Sequence, residues 1–356
     1  MITSEFPPLP GGIGNHAYLL AAYLQKAAYE LSVLSDFRSE KEDLEFDKKQ
    51  AFKTYRIKRN RLTQFNRVYK AFFIVKENNI LICSGKFSLW IGGLLKIFFP
   101  KKNYIAVLHG SEIRAGGTIS KMITQWSLKR FNKIIAVSNF TKEIALKYNP
   151  NLKINVINNG FILPKVTAVK SVKKVIGNPK IITVGNVTNR KGQHNVINAL
   201  PLLKSNFPAI QYHCIGIPTE EVAFMELAKK LDVQNHVTFH GALPTNDLIT
   251  FLRESDVFFM LSDVLSNGDF EGFGIAILEA NSMGLPSIGS NNSGIIDAIK
   301  VGFSGEVVDP KSKEEITEAF LKVMSQYEEY SQNAVLWSKN FTWKKIVKKY
   351  IEIIAQ

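Results

Sequence analysis

Cysteine is almost missing from this 356-residue sequence, which has only Cys83 and Cys214. They stand far apart, each in an apolar run and outside any metal-ligand spacing. A disulfide framework and a cysteine-ligated metal are therefore excluded, and reduced, buried thiols of a cytosolic protein are expected. No charged segment followed by an apolar core opens the chain, so no secretory signal is read. The longest apolar stretch, Phe87 to Phe99, contains Lys96 and falls short of the roughly 20 residues that a bilayer span requires. Acidic residues are scarce in one half only. Residues 1–165 carry 26 Lys and Arg against 11 Asp and Glu, whereas the remainder carries 19 against 20, so the net charge of +14 belongs to the N-terminal half.

Much of that charge is Lys48, Lys49, Lys53, Arg56, Lys58, Arg59, Arg61, Arg67 and Lys70, a span with no acid and with Phe52, Tyr55, Phe65 and Tyr69 interleaved. Such a segment suits an anionic surface, where each Lys or Arg near anionic lipid contributes on the order of 1 kcal/mol. The same composition suits nucleic acid, and a solvated helix face gives the same pattern. Hydrophobic content of 46% and charged content of 21% are ordinary globular values, which leaves no case for disorder.

A chain of this length exceeds the usual size of one core, so two domains are expected. It opens on a strand, Ile2 to Phe6, short enough to suggest a start that lacks a few residues. Pro7, Pro8, Pro10, Gly11, Gly12, Ile13 and Gly14 follow, and then a helix from near Asn15. Strand, glycine loop and helix in this order make a turn whose backbone can approach a phosphate. Buried strands are expected at Ile80 to Cys83, Tyr104 to Leu108, Lys133 to Val137 and Lys153 to Ile157. A polar, lysine-rich stretch from Leu163 to Lys180 reads as a linker. Beyond it come strands at Ile181 to Val184, Ile210 to Ile215, Val237 to Phe239, Val257 to Leu261, Ser287 to Gly289 and Gly305 to Val308. Helices at Gln193 to Leu203, Glu220 to Leu231 and Asn246 to Arg253 fall between them. This alternation is that of an α/β protein with parallel, doubly wound sheets. The expected division is residues 1–164, residues 165–336, and a C-terminal helix over 337–356 that packs back on the first domain.

The segment richest in chemistry is Glu271-Gly272-Phe273-Gly274-Ile275-Ala276-Ile277-Leu278-Glu279, followed by Ala280 and Gly284-Leu285-Pro286. Two glycines bracket an aromatic residue at a turn, and the apolar run reads as the first turns of a buried helix. A helix that begins near Gly274 offers unpaired N–H groups and partial positive charge to the phosphates of a ligand. Glu271 then precedes the helix and Glu279 lies five residues into it, roughly 8 Å along the axis at about 1.5 Å per residue. One carboxylate on either side of a phosphate position is the form of a nucleotide-sugar site.

In their order, these segments resemble the family 4 glycosyltransferases, whose GT-B architecture has two Rossmann-like doubly wound domains facing across a cleft, and the resemblance covers nearly the whole chain. Gly11, Gly12 and Gly14 match the opening glycine loop, His109-Gly110-Ser111-Glu112 the His-Gly-x-acid segment, and Ser138 the strand-end serine. Asn159-Gly160 match the pair before the linker, Gly185 with Lys191 and Gly192 the first C-terminal loop, and Glu271 with Glu279 the paired acids. Ser293, Gly294 and Asp297 match the Gly-Gly-x-x-Glu stretch that follows. The opening Pro-Pro-x-Pro-Gly-Gly resembles, locally, the phosphatidylinositol mannosyltransferases.

The resemblance implies a retaining enzyme that moves a hexose-type sugar from a nucleoside diphosphate sugar to a glycan or lipid-linked acceptor, in cell-surface polysaccharide or glycolipid assembly. It implies no cofactor and no metal, and a front-side mechanism without an obligatory covalent intermediate. Its catalytic residues fall on Glu271, His109 and Lys191, and its donor-binding residues on Gly12, Gly14, Gly185, Asn186, Arg190, Lys191, Phe273, Gly274 and Glu279. Lys191, with the backbone donors of the two glycine segments, stabilises charge on the departing diphosphate. Glu279 accepts from the ribose hydroxyls, while Glu271 and His109 face the donor sugar. One departure stands out: an Arg usually follows the glycine at 185, and Asn186 is there instead. Arg190 is the candidate replacement, although neighbours in a loop need not point the same way. Asp256 and Asp263 flank a strand without forming an Asp-x-Asp metal pair.

Three other readings compete. A nucleotide-sugar epimerase and a dinucleotide-dependent oxidoreductase are disfavoured by the Glu271 to Glu279 pair. The second is also disfavoured by the lack of an acidic ribose anchor about 20 residues beyond Gly14. A basic nucleic-acid-binding protein would bind any polyanion salt-sensitively and release no nucleotide, and nucleic acid is not an expected partner. The basic segment 48–70 and the apolar stretch 87–99 are instead expected to dock a cytoplasmic, peripheral enzyme on an anionic membrane face.

Overall fold

Short apolar runs bounded by glycine and polar residues become strands buried on both faces, the environment of a parallel sheet covered by helices. The computed structural model describes residues 1–8, 11–114, 117–163 and 175–356. They divide into two units, one of residues 1–160 with 343–356 and one of residues 161–342. The expected boundary after residue 164, and residues 164–174 of the expected linker, lie outside the described residues.

The first unit has seven strands: β1 (Ile2–Thr3), β2 (Ser32–Asp36), β3 (Lys53–Ile57), β4 (Ile80–Ser84), β5 (Asn103–Leu108), β6 (Lys133–Ala136) and β7 (Ile154–Val156). They form one parallel sheet in the order β3-β2-β1-β4-β5-β6-β7. The second unit has β8 (Lys180–Val184), β9 (Gln211–Ile215), β10 (Val237–Phe239), β11 (Val257–Met260), β12 (Ser287–Ser290) and β13 (Gly305–Val308). Its parallel order is β10-β9-β8-β11-β12-β13. Each order reverses direction once, between β1 and β4 and between β8 and β11. In doubly wound sheets, ligands bind beyond the C-terminal strand ends at that reversal. The loops after β8 and β11 are thereby singled out by topology alone.

Several expectations need correction. β1 ends at Thr3, three residues before the expected limit. Pro7 and Pro8 follow closely and bring no N–H to a ladder. The first helix starts at Gly12, not near Asn15, so Gly12 and Gly14 lie in its first turn and not in a loop. Gly14 is there for close approach: a Cβ would sit 3.2 Å from the Phe6 nitrogen and 3.3 Å from the Glu5 carbonyl carbon. The helix Gly12–Lys26 buries His16, Ala17, Leu20, Ala21 and Leu24, one face at helical spacing. β2 and β3 were not foreseen, β3 because it is a half-exposed edge strand with the polar sequence Lys-Thr-Tyr-Arg-Ile.

β2 also overturns the statement that no acid follows Gly14 at ribose-anchor spacing, because Asp36 ends that strand. Its carboxylate is taken up, however, by buried Arg67, whose Nε donates to Oδ1 at 3.2 Å and whose Nη2 pairs with Oδ2. Arg56 is buried as well. It donates to Asp47 Oδ1 at 2.8 Å and to the Pro7 carbonyl at 2.7 Å, and it covers the Phe6 ring. Two of the nine cations of the basic segment therefore hold the first unit together, and Lys53 and Lys70 lie over the Tyr55 ring.

The apolar stretch 87–99 is mostly a core helix, Lys86–Phe98, which buries Leu89, Ile91, Gly92, Gly93 and Leu95 and leaves Phe87, Ile97 and Phe98 exposed. Among the described residues, no helix is long and apolar enough to cross a membrane. The last helix, Trp343–Ala355, buries Trp343, Ile346, Val347, Tyr350 and Ile354 and packs on Gly12–Lys26 within the first unit. Each of its buried aliphatic side chains contributes about 1.5–3 kcal/mol. Cys83 and Cys214 are buried free thiols.

Candidate active site

The loop after β8 runs through Gly185 and Asn186 into a 3-10 turn, Asn189–Lys191, and then into the helix Gln193–Asn206. The loop after β11 ends at Gly274, which precedes the helix Ile275–Asn281. Across these loops, Arg190 Nη1 at 2.7 Å and Lys191 Nζ at 2.8 Å both donate to Oε2 of Glu271. The two adjacent cations thus point the same way. The Lys191 stem crosses Gly185, where a Cβ would come within 3.1 Å of Cε, and Arg190 is steadied by Asp269 at 3.4 Å. Glu271 is itself held by its backbone, because its carbonyl accepts from the Gly294 nitrogen at 2.9 Å. That gives the Ser293-Gly294 stretch a structural reason for following the acid pair. Burial pushes the Glu271 pKa up, but Lys191 and Arg190 outweigh it and hold the value at about 2, so the carboxylate is ionised at every ordinary pH.

Glu279 is the opposite case. It is half-buried, and its carboxylate has no hydrogen bond or ion pair among the described residues. Burial raises its pKa from 4.5 to about 7, against the lowering effect of nearby Lys191. A partly protonated carboxylate with unused acceptor positions, near a two-cation cluster, has the chemistry to accept from hydroxyl donors.

Two expected site features are less than the sequence suggested. The helix Ile275–Asn281 is only seven residues long, so its dipole is small and the positive charge is carried by side chains. Phe273 is 1% exposed and packs on Phe341, ring centres 5.8 Å apart. Its ring is core, and only its backbone is left for a ligand. Asn186 is exposed, and its carbonyl accepts from Gln193 Nε2 at 3.1 Å.

In the first unit His109 follows β5. Its Nε2 lies 3.0 Å from Ser84 Oγ, its ring is 4.9 Å from that of His16, and its backbone nitrogen donates to Glu112 Oε1 at 2.8 Å. Burial lowers the His109 pKa to about 4, so the imidazole is uncharged at neutral pH. Glu112 folds back to brace the loop and is itself buried. Ser138 caps the helix Asn139–Tyr148 by accepting from the Thr141 nitrogen at 3.0 Å. Gly160 faces Trp343, whose ring a Cβ would meet at 2.9 Å. His16 was not foreseen: buried, it shares a 3.1 Å hydrogen bond with Tyr350 and packs between His109 and Trp343. A histidine on the apolar face of an amphipathic helix was its only sequence signal.

Two parallel doubly wound units, one with paired acids and paired cations at its topological switch point, have the architecture of GT-B glycosyltransferases. The family Glycosyltransferase Family 4 matches residues 10–163, and Glycosyl transferases group 1 matches residues 167–337. The chain belongs to the family 4 glycosyltransferases. It is 25% identical over 347 residues to a GDP-mannose-dependent alpha-(1-6)-phosphatidylinositol monomannoside mannosyltransferase of Mycolicibacterium smegmatis, covering 90% of this chain and 87% of that protein. It is 27% identical over 243 residues to the amylovoran biosynthesis glycosyltransferase AmsK of Erwinia amylovora, covering 66% of this chain and 57% of that one. The fold also matches Anabaena HepE in complex with UDP, with a TM-score of 0.79, 17% identity and 99% coverage of each chain. The chain is a glycosyltransferase whose relatives serve polysaccharide and glycolipid biosynthesis.

Proposed function

We propose that this enzyme is a retaining, metal-independent hexosyltransferase that takes its sugar from a nucleoside diphosphate sugar and passes it to a glycan or lipid-linked acceptor in cell-surface assembly. The observation that carries the reading is the convergence of Arg190 and Lys191 on one point in the second unit, near the Glu279 carboxylate, which has no hydrogen-bond partner among the described residues. Loss of a sugar from a nucleoside diphosphate develops negative charge on the departing phosphates, and preorganised cations stabilise it without an added ion. In the free protein Glu271 occupies both cations. A bound diphosphate competes for them and leaves the Glu271 carboxylate to hold a sugar hydroxyl and to stabilise the developing oxocarbenium ion. Glu279 accepts from the ribose diol, each charge-assisted bond adding about 1.5–3 kcal/mol. His109, uncharged at neutral pH, can exchange hydrogen bonds and does not act as a cation.

The acceptor side is assigned to the first unit, on a surface facing anionic lipid. Phe65 and Tyr69 are exposed on the helix Thr63–Glu77, Phe73 beside them, with Phe98 at the end of the neighbouring helix. Arg59 and Arg61 stand at the start of that stripe.

A thermal-shift panel of UDP and GDP sugars, followed by a hydrolysis assay on the best binder, tests the proposal. A donor at 100 times its Kd adds about 2.7 kcal/mol to stability, a readable rise in Tm. Failure of every nucleotide sugar to raise Tm overturns the donor assignment. Loss of turnover in EDTA, restored by Mg²⁺, overturns metal independence.

A further inference from the structure

Arg190 and Lys191 sit on a three-residue turn, and the side chains that fix this turn lie beneath it. Gly192 closes the turn with φ 78°, pressed so tightly on the residue that follows β11 that a Cβ would fall 1.7 Å from the Leu261 carbonyl oxygen. Two residues further along that passing strand end is Asp263. Its backbone nitrogen donates to the Arg190 carbonyl at 3.1 Å. Its Oδ2 lies 3.1 Å from both Asn195 Nδ2 and His194 Nε2, in the first turn of the helix Gln193–Asn206. Asn195 Nδ2 also donates to the Leu261 carbonyl at 2.9 Å. Asp263 thus grips the turn before and after Gly192, by main chain on one side and by carboxylate on the other. The carboxylate is 14% exposed and lies at the positive end of a 14-residue helix.

We propose that Asp263 is a positioning residue for the phosphate-binding pair: through the Arg190 carbonyl and through Asn195 and His194 it fixes the direction in which Arg190 and Lys191 present their charges. This rests on the reading that the pair receives the donor diphosphate. Asp263 does not touch the donor. Without its carboxylate the helix start loses its ties through Asn195 and His194 to Asp263 and is left on the strand end by Asn195 and the Leu261 carbonyl, while the turn retains the Asp263 nitrogen on the Arg190 carbonyl and its outer contact, Asn189 with Glu220.

The test compares the full-length protein with Asp263→Ala and Asp263→Asn. Asparagine keeps an oxygen that accepts from Asn195 and is the conservative rescue. In the absence of ligand, trypsin cleavage after Arg190 and Lys191, read by mass spectrometry, should rise at least tenfold in Asp263→Ala relative to other sites, and return towards wild type in Asp263→Asn. Binding of UDP and GDP by calorimetry should weaken about tenfold in Asp263→Ala for whichever the wild type binds. Donor KM should rise while acceptor KM stays constant. Unchanged cleavage at the turn, or cleavage that rises equally at all sites along with a fall in Tm, overturns the proposal. If the wild type binds neither diphosphate, the donor reading fails by itself, and the proteolysis result still decides whether Asp263 holds the turn.

Discussion

Replacing Glu279 by glutamine should make the free protein more stable and its donor binding worse. The wild-type carboxylate is half-buried with no partner among the described residues, and burial raises its pKa from 4.5 to about 7. Between these values the folded protein holds a proton that the unfolded chain has released. The associated stability is complete below about pH 4.5, falls as pH rises towards 7, and is gone above it. At about 1.36 kcal/mol per unit, the penalty at pH 8 is about 3 kcal/mol. Glutamine has the same shape and no proton to lose, so its advantage should approach that figure at pH 8 and vanish near pH 4.5. Urea unfolding of both proteins at the two pH values, followed by circular dichroism, measures it. Calorimetric titration with UDP or GDP supplies the second arm. Losing the charge from one or two ribose hydrogen bonds should weaken binding roughly 10- to 100-fold, and wild-type affinity should improve as pH climbs through about 7. A stability difference that is the same at both pH values refutes the burial argument, and undiminished affinity in Glu279→Gln refutes the ribose role.

The other perturbations are simpler. Lys191→Ala and Glu271→Ala should each lower turnover by roughly 10² or more in a donor-hydrolysis or transfer assay, and near-normal rates in both would sink the assigned roles. Gly192→Ala combines a left-handed backbone with a collision at the Leu261 carbonyl, so it should cost about 3 kcal/mol or more in chemical denaturation. An unchanged midpoint would show that the turn is loosely held. Sedimentation with vesicles at physiological salt should show a preference for anionic over neutral lipid, reduced by Arg59→Ala together with Arg61→Ala; equal binding to both vesicle types removes the membrane assignment.

Where the sequence was informative, information lay close together along the chain. The strands at Val237–Phe239 and Gly305–Val308 have the limits that periodicity gives, because a parallel strand buried on both faces is a local apolar run. Glu271 and Glu279 stood out because glycine, aromatic and acid occur within nine residues. What could not be read was pairing at a distance. Nothing local says that Arg67 belongs to Asp36 or that Arg56 belongs to Asp47, so both looked like surface charge until the sheet order brought the acids to them. Phe273 is similar: the resemblance puts it among the donor-binding residues, and its burial against Phe341 is what reveals its ring as core. The shared target of Arg190 and Lys191 depends on a turn whose anchor, Asp263, comes some 70 residues later.

The return of Trp343–Ala355 to the first unit has a consequence for how the chain is made. On a ribosome, the early strands emerge long before the helix that supplies Tyr350 and Trp343 to His16, so the half synthesised first must wait with that apolar seat uncovered. The contiguous stretch from Phe161 to Thr342 has no such debt and can mature earlier, reversing the usual order in which the leading segment of a nascent polypeptide finishes first.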